Sequence, residues 1–395
     1  VTNRFSLWHY AAVGALVVAG VLALTLPGVF ASHASARRDI GVVPISSTIL
    51  IGSVGGTSGV YSSTGVPALD GGLLAVSDVN RQGGVLGKRL TLQSYDDEAS
   101  ATLAASLFRR LAKAGAVAVL GSGDSGAATA LAADDLHIPD LGVTDVSAGL
   151  SPWVWSSGAS TSAAGAVDGA YALKSCRGLA LLSGTTTADR AGAAAVRLAY
   201  TRAHKALVVN DTVGESSPAG AAASLAKDIG EIKRSGSGCV ITWLTAQDTA
   251  SVAQTLRARH VHVTLIGDGG IVANTTYPLL AGAAAGGTLA TELTAQSHPG
   301  AALVKFEKSY LKRFHMEASA DAISSYDAVL MLAAAIKQEH STSAAKLRAA
   351  LNGLSGSPEL QGAVTFTKGD HSAVSAEQLT LVSYDAAAKA WKPVN

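Results

Sequence analysis

The sequence predicts an α/β protein made of two doubly wound parallel-sheet lobes joined by a three-strand hinge. Three observations predict it. At 395 residues the chain exceeds one ordinary core, which favours two units. Continuous apolar runs (TILIGSV, RLTLQSYD, AVAVLGS, IPDLGV) alternate with Ala-rich helical stretches, the pattern of parallel strands covered on both faces. After SPWVWSSG the pattern restarts with GLALLSG, KALVVND, CVITWLT and HVTLIGD, which form a second lobe.

Residues 1–36 are set apart from the fold. Arg4 precedes an apolar run from Tyr10 to Ala31, and Ala34-Ser35-Ala36 offers the small residues that a signal peptidase reads. This segment is a signal peptide or, since the run is long enough to span a bilayer, an uncleaved signal anchor. Pro27 and Gly28 break the helix ahead of the small-residue site, which favours cleavage. Export follows from either reading, and membrane contact is expected only through this segment. No cysteine lies near the processing site, so the protein is not expected to be a lipoprotein. Residues 37–47 are a tether.

Ile49 to Asp97 reads as strand, glycine-rich loop, long helix, Gly-Gly turn and second strand. Lobe 1 is expected to take residues 48–155 and 293–363, and lobe 2 residues 156–292 and 364–395. Gly287–Leu293 is the return crossing, the helices between Ala301 and Leu351 complete lobe 1, and Val364–Thr367 is the third crossing strand. The cleft is expected between the lobes, at the carboxyl ends of the strands, where open α/β sheets bind ligands.

Several motifs along this path carry a resemblance. They are the T-x-G loop at Thr57–Gly59, then N-x-x-G-G-x-x-G at Asn80, Gly83, Gly84 and Gly87, Ile138-Pro139, YDAVLMLAAAI from Tyr326 to Ile336, and finally ALNGLSG and GAVTFTKGD. Together they resemble the leucine/isoleucine/valine-binding family of ABC-transporter substrate-binding proteins, with the type I periplasmic binding fold. The resemblance implies an extracytoplasmic receptor that closes its lobes on a small amino-acid-like ligand and delivers it to an ABC transporter permease. A membrane-anchored sensor or scavenger of the same fold, without a transporter, is the alternative.

The resemblance also implies a site. Ser125, at a helix N-terminus where free amides and the helix dipole favour an anion, matches the serine that binds the ligand's α-carboxylate; as a plain residue type and position it also reads as an N-cap. Asp124 precedes it. Ser58 and Tyr61 lie on the first glycine-rich loop, with Tyr61 where the family places an aromatic over the ligand. Thr144 and Val146 match the loop that contacts ligand amine and carboxylate, although Val146 has no hydroxyl and Ser147 is its nearest substitute. The family's amine-binding carboxylate falls on Gly269, with Asp268 one residue early. An aromatic expected after the eighth strand falls on Ala246, leaving Trp243 nearby, and Asp321 is a further partner for a cationic group or else a helix cap.

GSGDSG (Gly121–Gly126) also satisfies the glycine spacing of a dinucleotide loop, so a nucleotide-dependent α/β enzyme is a third reading. Its position tells against that, because two strands precede it, whereas a dinucleotide loop leaves the first. The same residues imitate a serine-protease loop without the base that such a serine needs. Asp96-Asp97 is read as capping the next helix, and no catalytic constellation or cofactor is expected. A net charge of +1 with 15% charged residues offers no field for nucleic acid. Two cysteines and scattered histidines make no metal site. In the resembled fold Cys176 and Cys239 precede neighbouring strands, which suits a disulfide in an exported protein; two buried thiols are the alternative.

Overall fold

The structure is a computed structural model and describes residues 48–121, 125–143, 151–213, 218–272 and 276–394. The segments read as signal or anchor and as tether lie outside the described residues. The chain begins with β1 (Ile49–Gly55), α1 (Ser62–Arg81), β2 (Leu90–Asp96), α2 (Ala101–Lys113), β3 (Val119–Gly121) and α3 (Gly126–Leu136). β4 (Asp140–Gly142), β5 (Val154–Ala159), α4 (Thr161–Ser175), β6 (Leu179–Ser183), α5 (Thr187–Arg202) and β7 (Val209–Thr212) follow. Next come α6 (Pro218–Ser235), β8 (Cys239–Trp243), α7 (Ala246–Ala258), β9 (Thr264–Gly267), α8 (Thr276–Ala281) and β10 (Leu289–Leu293). The last stretch holds α9 (Thr294–Ser297), α10 (Ala301–Phe314), α11 (Ala320–Glu339) and α12 (Ala344–Asn352). It ends with β11 (Ser355–Glu359), β12 (Gly362–Thr365), β13 (Ser372–Val374), β14 (Leu379–Asp385) and β15 (Ala390–Pro393).

The strands form two large sheets. The first has the order β13-β5-β4-β3-β1-β2 and is parallel throughout. The second has the order β15-β14-β10-β9-β8-β6-β7, parallel from β10 to β7, with β14 and β15 added antiparallel at one edge. Every residue of β6 and β8 is buried, as strands covered on both faces must be. The chain passes between the sheets three times, from β5 to β6, from β10 towards β13, and from β13 to β14. These passages are the three-strand hinge of a type I periplasmic binding fold.

The Asn-Gly-Gly-Gly motif after α1 is structural. Asn80 donates from its amide to Leu90 O at 2.8 Å and accepts from Leu90 N at 2.7 Å, so its side chain pairs with the start of β2 as a strand would. Gly83, Gly84 and Gly87 all take positive φ, a conformation that costs other residues. On α1, Gly71 lets the helix lie directly on α11, since a side chain there would run into the Ala322 carbonyl. In the second lobe Cys176, at the end of α4, is disulfide-bonded to Cys239, the first residue of β8, with Cα atoms 5.7 Å apart.

One expected strand goes elsewhere. Val364–Thr367 was expected to be the third crossing strand, but Gly362–Thr365 pairs antiparallel with β11 in a separate hairpin, and the third passage comes after β13. The reason is local: only Leu360 and Gln361 separate β11 from β12, and that turn is fixed from below. Asp327 on α11, fully buried, accepts Leu360 N at 2.9 Å and Gln361 N at 3.2 Å. The Gln361 amide also donates to Asp327 at 2.9 Å and to Ser157 O of β5 at 2.8 Å. Gln378, just before β14, donates to Gln361 O at 3.4 Å.

Replacing Asp327 with Ala removes the acceptor of three N–H donors, two of them buried, and a buried donor left unpaired costs about 1–3 kcal/mol. Asp327→Ala is therefore expected to lose about 3 kcal/mol or more in a urea titration. Asp327→Asn, which keeps one acceptor oxygen, should lose clearly less.

Candidate functional site

The carboxyl ends of the parallel strands bring two sets of side chains to the inner ends of the lobes. In the first lobe, Asp96 closes β2 and accepts Thr57 N and Glu98 N, each at 3.0 Å. The Ser58 hydroxyl is the main cause holding the Asp96 carboxyl below its usual range. Ser58 thus helps to hold the first glycine-rich loop. Tyr61 follows in the 3-10 turn Gly59–Tyr61, packed beside Gly56.

Ser125 stands at the N-cap position of α3 and is 2% exposed, yet its side chain makes no cap bond, and its Oγ is buried with no hydrogen-bond partner. The plain N-cap role therefore does not account for it. Next to it is Asp97, which sequence reasoning assigned to helix capping. Ser100 is the N-cap of α2 instead, while Asp97 Oδ1 accepts Ala99 N at 2.9 Å and Oδ2 has no partner. Burial pushes the Asp97 carboxyl up; the Ala99 N–H and the nearby Ser125 hydroxyl oppose the shift, although Ser125 closes no hydrogen bond to it. Beneath this loop lies Asp140, whose carboxylate fills the space where a side chain on Gly121 would begin. Burial pushes it up to about 7; the nearby Thr129 hydroxyl and Gly121 N–H oppose the shift, although neither closes a hydrogen bond to it.

In the second lobe Asp268 follows β9, half-buried, and accepts Gly270 N at 2.8 Å as the cap of a short 3-10 turn. Burial, then the charge of Asp189, push it up to about 7. Asp189 belongs to a capping box with Thr186 at the start of α5. Trp243 ends β8 with its ring against Gly192 of α5, so it is a core side chain of this lobe, its Nε1 buried without a partner.

Ser125 and Asp268 thus stand near strand ends of different sheets. Asp321 is in the first turn of α11, where its charge acts on Tyr310 among the α10 and α11 contacts. Asp124, Thr144 and Val146, with Ser147, lie outside the described residues. The Gly121–Gly126 loop leaves β3, the third strand of its lobe, and not the first strand that a dinucleotide loop leaves. Among the described residues no three acidic, His or Cys side chains gather as a metal site, and no helix is long and apolar enough to cross a membrane. A groove of about 830 Å³ lined by Arg257, His260 and His262 lies at the opposite ends of the second-lobe strands.

A family model described as periplasmic binding protein matches residues 48–389. The chain belongs to the periplasmic binding protein family. No curated protein matches its sequence significantly. Solved structures share the fold. A type 1 periplasmic binding protein from Bordetella pertussis Tohama I superposes with a TM-score of 0.77 at 19% identity, over 88% of this chain and 100% of that one. The branched-chain amino acid transporter substrate-binding protein LivJ of Streptococcus pneumoniae, in complex with isoleucine, gives 0.73 at 17% identity, over 88% and 99%. An ABC-transporter solute-binding protein of Rhodopseudomonas palustris BisB5, in complex with 3,4-dihydroxybenzoic acid, gives 0.70 at 18% identity, over 85% and 93%. At these identities the likeness is one of fold.

Four raised carboxyls, three of them buried and Asp268 half-buried, predict a pH response of stability for this periplasmic binding protein. Asp140 and Asp268 are raised to about 7, as is Asp327, and Asp168 to about 8, all chiefly by burial. Unfolded, these carboxyls ionise near the ordinary value of about 4, so between there and pH 8 the folded state holds more protons. Their contribution to stability is full below that range and is lost as pH rises through the folded values. Melting is expected at a clearly lower temperature at about pH 8.5 than at about pH 5.5, and Asp140→Asn should flatten the slope.

Proposed function

We propose that the chain is an extracytoplasmic solute-binding protein of an ABC importer that captures a small amino-acid-like ligand between its lobes. One observation carries the reading: Ser125 Oγ is buried at the N-terminus of α3 yet bonds to nothing in the protein, at the strand ends where this fold takes ligand. In this reading the ligand bonds to that hydroxyl, and Asp268 meets it from the other lobe. Lobe closure about the three passages brings the two together and alters the outer surface offered to a permease. Family membership supports a solute-binding role over an enzyme. The isoleucine and dihydroxybenzoate complexes of two structural relatives support a small organic ligand, without choosing between amino acid and aromatic acid. Export through residues 1–36 belongs to the same proposal, with cleavage or retention as its two forms.

A thermal-melt screen against amino acids, amides, small carboxylates and nucleotides tests it. A ligand at about 100 times its dissociation constant adds about 2.7 kcal/mol, a shift of a few degrees. The expected result is a hit among amino acids or related small acids that weakens about tenfold or more in Ser125→Ala. Nucleotide hits alone would refute the proposal.

A further inference from the structure

The chain enters lobe 1 at the amino end of β1, and cations without acidic partners stand around that point. Ile49 N donates to Arg89 O at 2.9 Å, so Lys88 and Arg89 lie beside the entry, just ahead of β2. On the other flank Val117 N donates to Leu50 O at 2.9 Å, and the turn leading there follows Lys113, the last residue of α2. Arg89 and Lys113 are exposed, and Lys88 is half-buried. Acids at the same end are already engaged: Asp78 pairs with Arg81 at 2.7 Å, Asp135 pairs with Arg109 at 3.2 Å, and Asp134 accepts the Ser151 hydroxyl at 3.1 Å. Among the described residues Lys88, Arg89 and Lys113 form no ion pair. A cation in the last turn of a helix complements its dipole, which accounts for Lys113. It does not account for Lys88 and Arg89, which lie off the helix.

An apolar side chain stands at the tip of the same turn. Val85 and Lys88 exchange both backbone hydrogen bonds at 2.9 Å, with Leu86 and Gly87 between them at φ 51° and 72°. Two-residue turns with both φ values positive are ordinarily filled by Asn, Asp or Gly. A leucine in this left-handed conformation is strained, and Leu86 stays 39% exposed, so burial does not offset the strain. An exposed apolar side chain set among unpaired cations matches a lipid interface, where acyl chains meet anionic headgroups.

Resting on the membrane-retained form of the export reading above, we propose that this end of lobe 1 lies on the anionic lipid surface of the membrane that holds the chain, with Lys88, Arg89 and Lys113 against lipid phosphates and Leu86 reaching between the headgroups. The sequence supplies the attachment. The apolar run from Tyr10 to Ala31 is followed by Arg37 and Arg38 and by the tether, residues 37–47, which joins the described chain at Thr48. Fully extended, such a tether reaches at most about 40 Å, so the end that receives it stays close to the bilayer. Each Lys or Arg near an anionic surface strengthens binding roughly fivefold, and three together roughly a hundredfold. Confinement by the tether adds to this without any new contact. Seating the amino end of the lobe 1 sheet leaves the carboxyl ends of its strands, where Ser125 stands, free for ligand.

The test is lysine footprinting of the full chain, reconstituted through its own N-terminal segment into vesicles of phosphatidylcholine alone or with added phosphatidylglycerol. A membrane-impermeant acetylating reagent is applied and the modified lysines are read by mass spectrometry, with exposed Lys227 of α6 as the reference. Expected is a rate at Lys88 and Lys113 about fivefold lower in the anionic vesicles than in the neutral ones, a difference that salt of about 1 M removes. Arg89→Glu and Leu86→Ser should each reduce this protection while leaving the melting temperature and the response to the ligand screen unchanged. Equal rates in the two kinds of vesicle would overturn the proposal. Protection by inorganic phosphate without vesicles would overturn it too, in favour of a site for a small anion. A chain recovered processed and free of the vesicles would remove the retained form and the proposal with it, and the ligand screen then decides the solute-binding role separately.

Discussion

The turn at Leu360–Gln361 is held by a carboxylate that water does not reach, and much of the molecule's mechanical design follows from that contact. Asp327 takes three N–H groups from the turn, and through Gln361 it reaches Ser157 on β5 and Gln378 ahead of β14. Two of the three passages between the sheets are therefore tied to one side chain on a lobe-one helix. The lobe closure proposed above would need these connections to bend at fixed places. Burial raises Asp327 to about 7, opposed by the Gln361 amide, so the knot is made at a real electrostatic cost.

Beyond the hinge, each lobe holds buried polar atoms that ordinary packing would pair. Asp97, Asp140 and Ser125 in the first lobe, and Asp168 in the second, leave buried oxygen atoms without partners. Buried polar groups are usually paired, and exceptions gather where something else completes them. Under the proposed solute-binding role, a ligand at the strand carboxyl ends would give the Ser125 hydroxyl its missing partner. Of these residues, Asp140 and Asp168 also contribute to the expected loss of stability towards alkaline pH.

Much of the fold was legible in the sequence because its signals are local. Continuous apolar runs gave the buried parallel strands, and Asn80 with its three glycines marked the return from α1 to β2. Val364–Thr367 was misread for a related reason: its strand character was visible, but its partner was decided by a short turn and by Asp327, 33 and 34 residues away in sequence from the groups it holds. Ser125 was visible as a serine opening a helix, while the freedom of its hydroxyl was not. Asp168 could not have been found, since its partner Thr291 is 123 residues distant and nothing on a helix face marks an acid as buried. Trp243 looked available to a ligand from its place at a strand end; the small Gly192 on α5 draws its ring into the core.

The most direct measurement is a crystal structure of the full chain grown with the compound that most raises its melting temperature. That compound should lie between the lobes, with an atom hydrogen-bonded to Ser125 Oγ and a cationic group against Asp268. Density for it elsewhere, such as the groove beside Arg257 and His262, with Ser125 still unpartnered, would contradict this picture of the site.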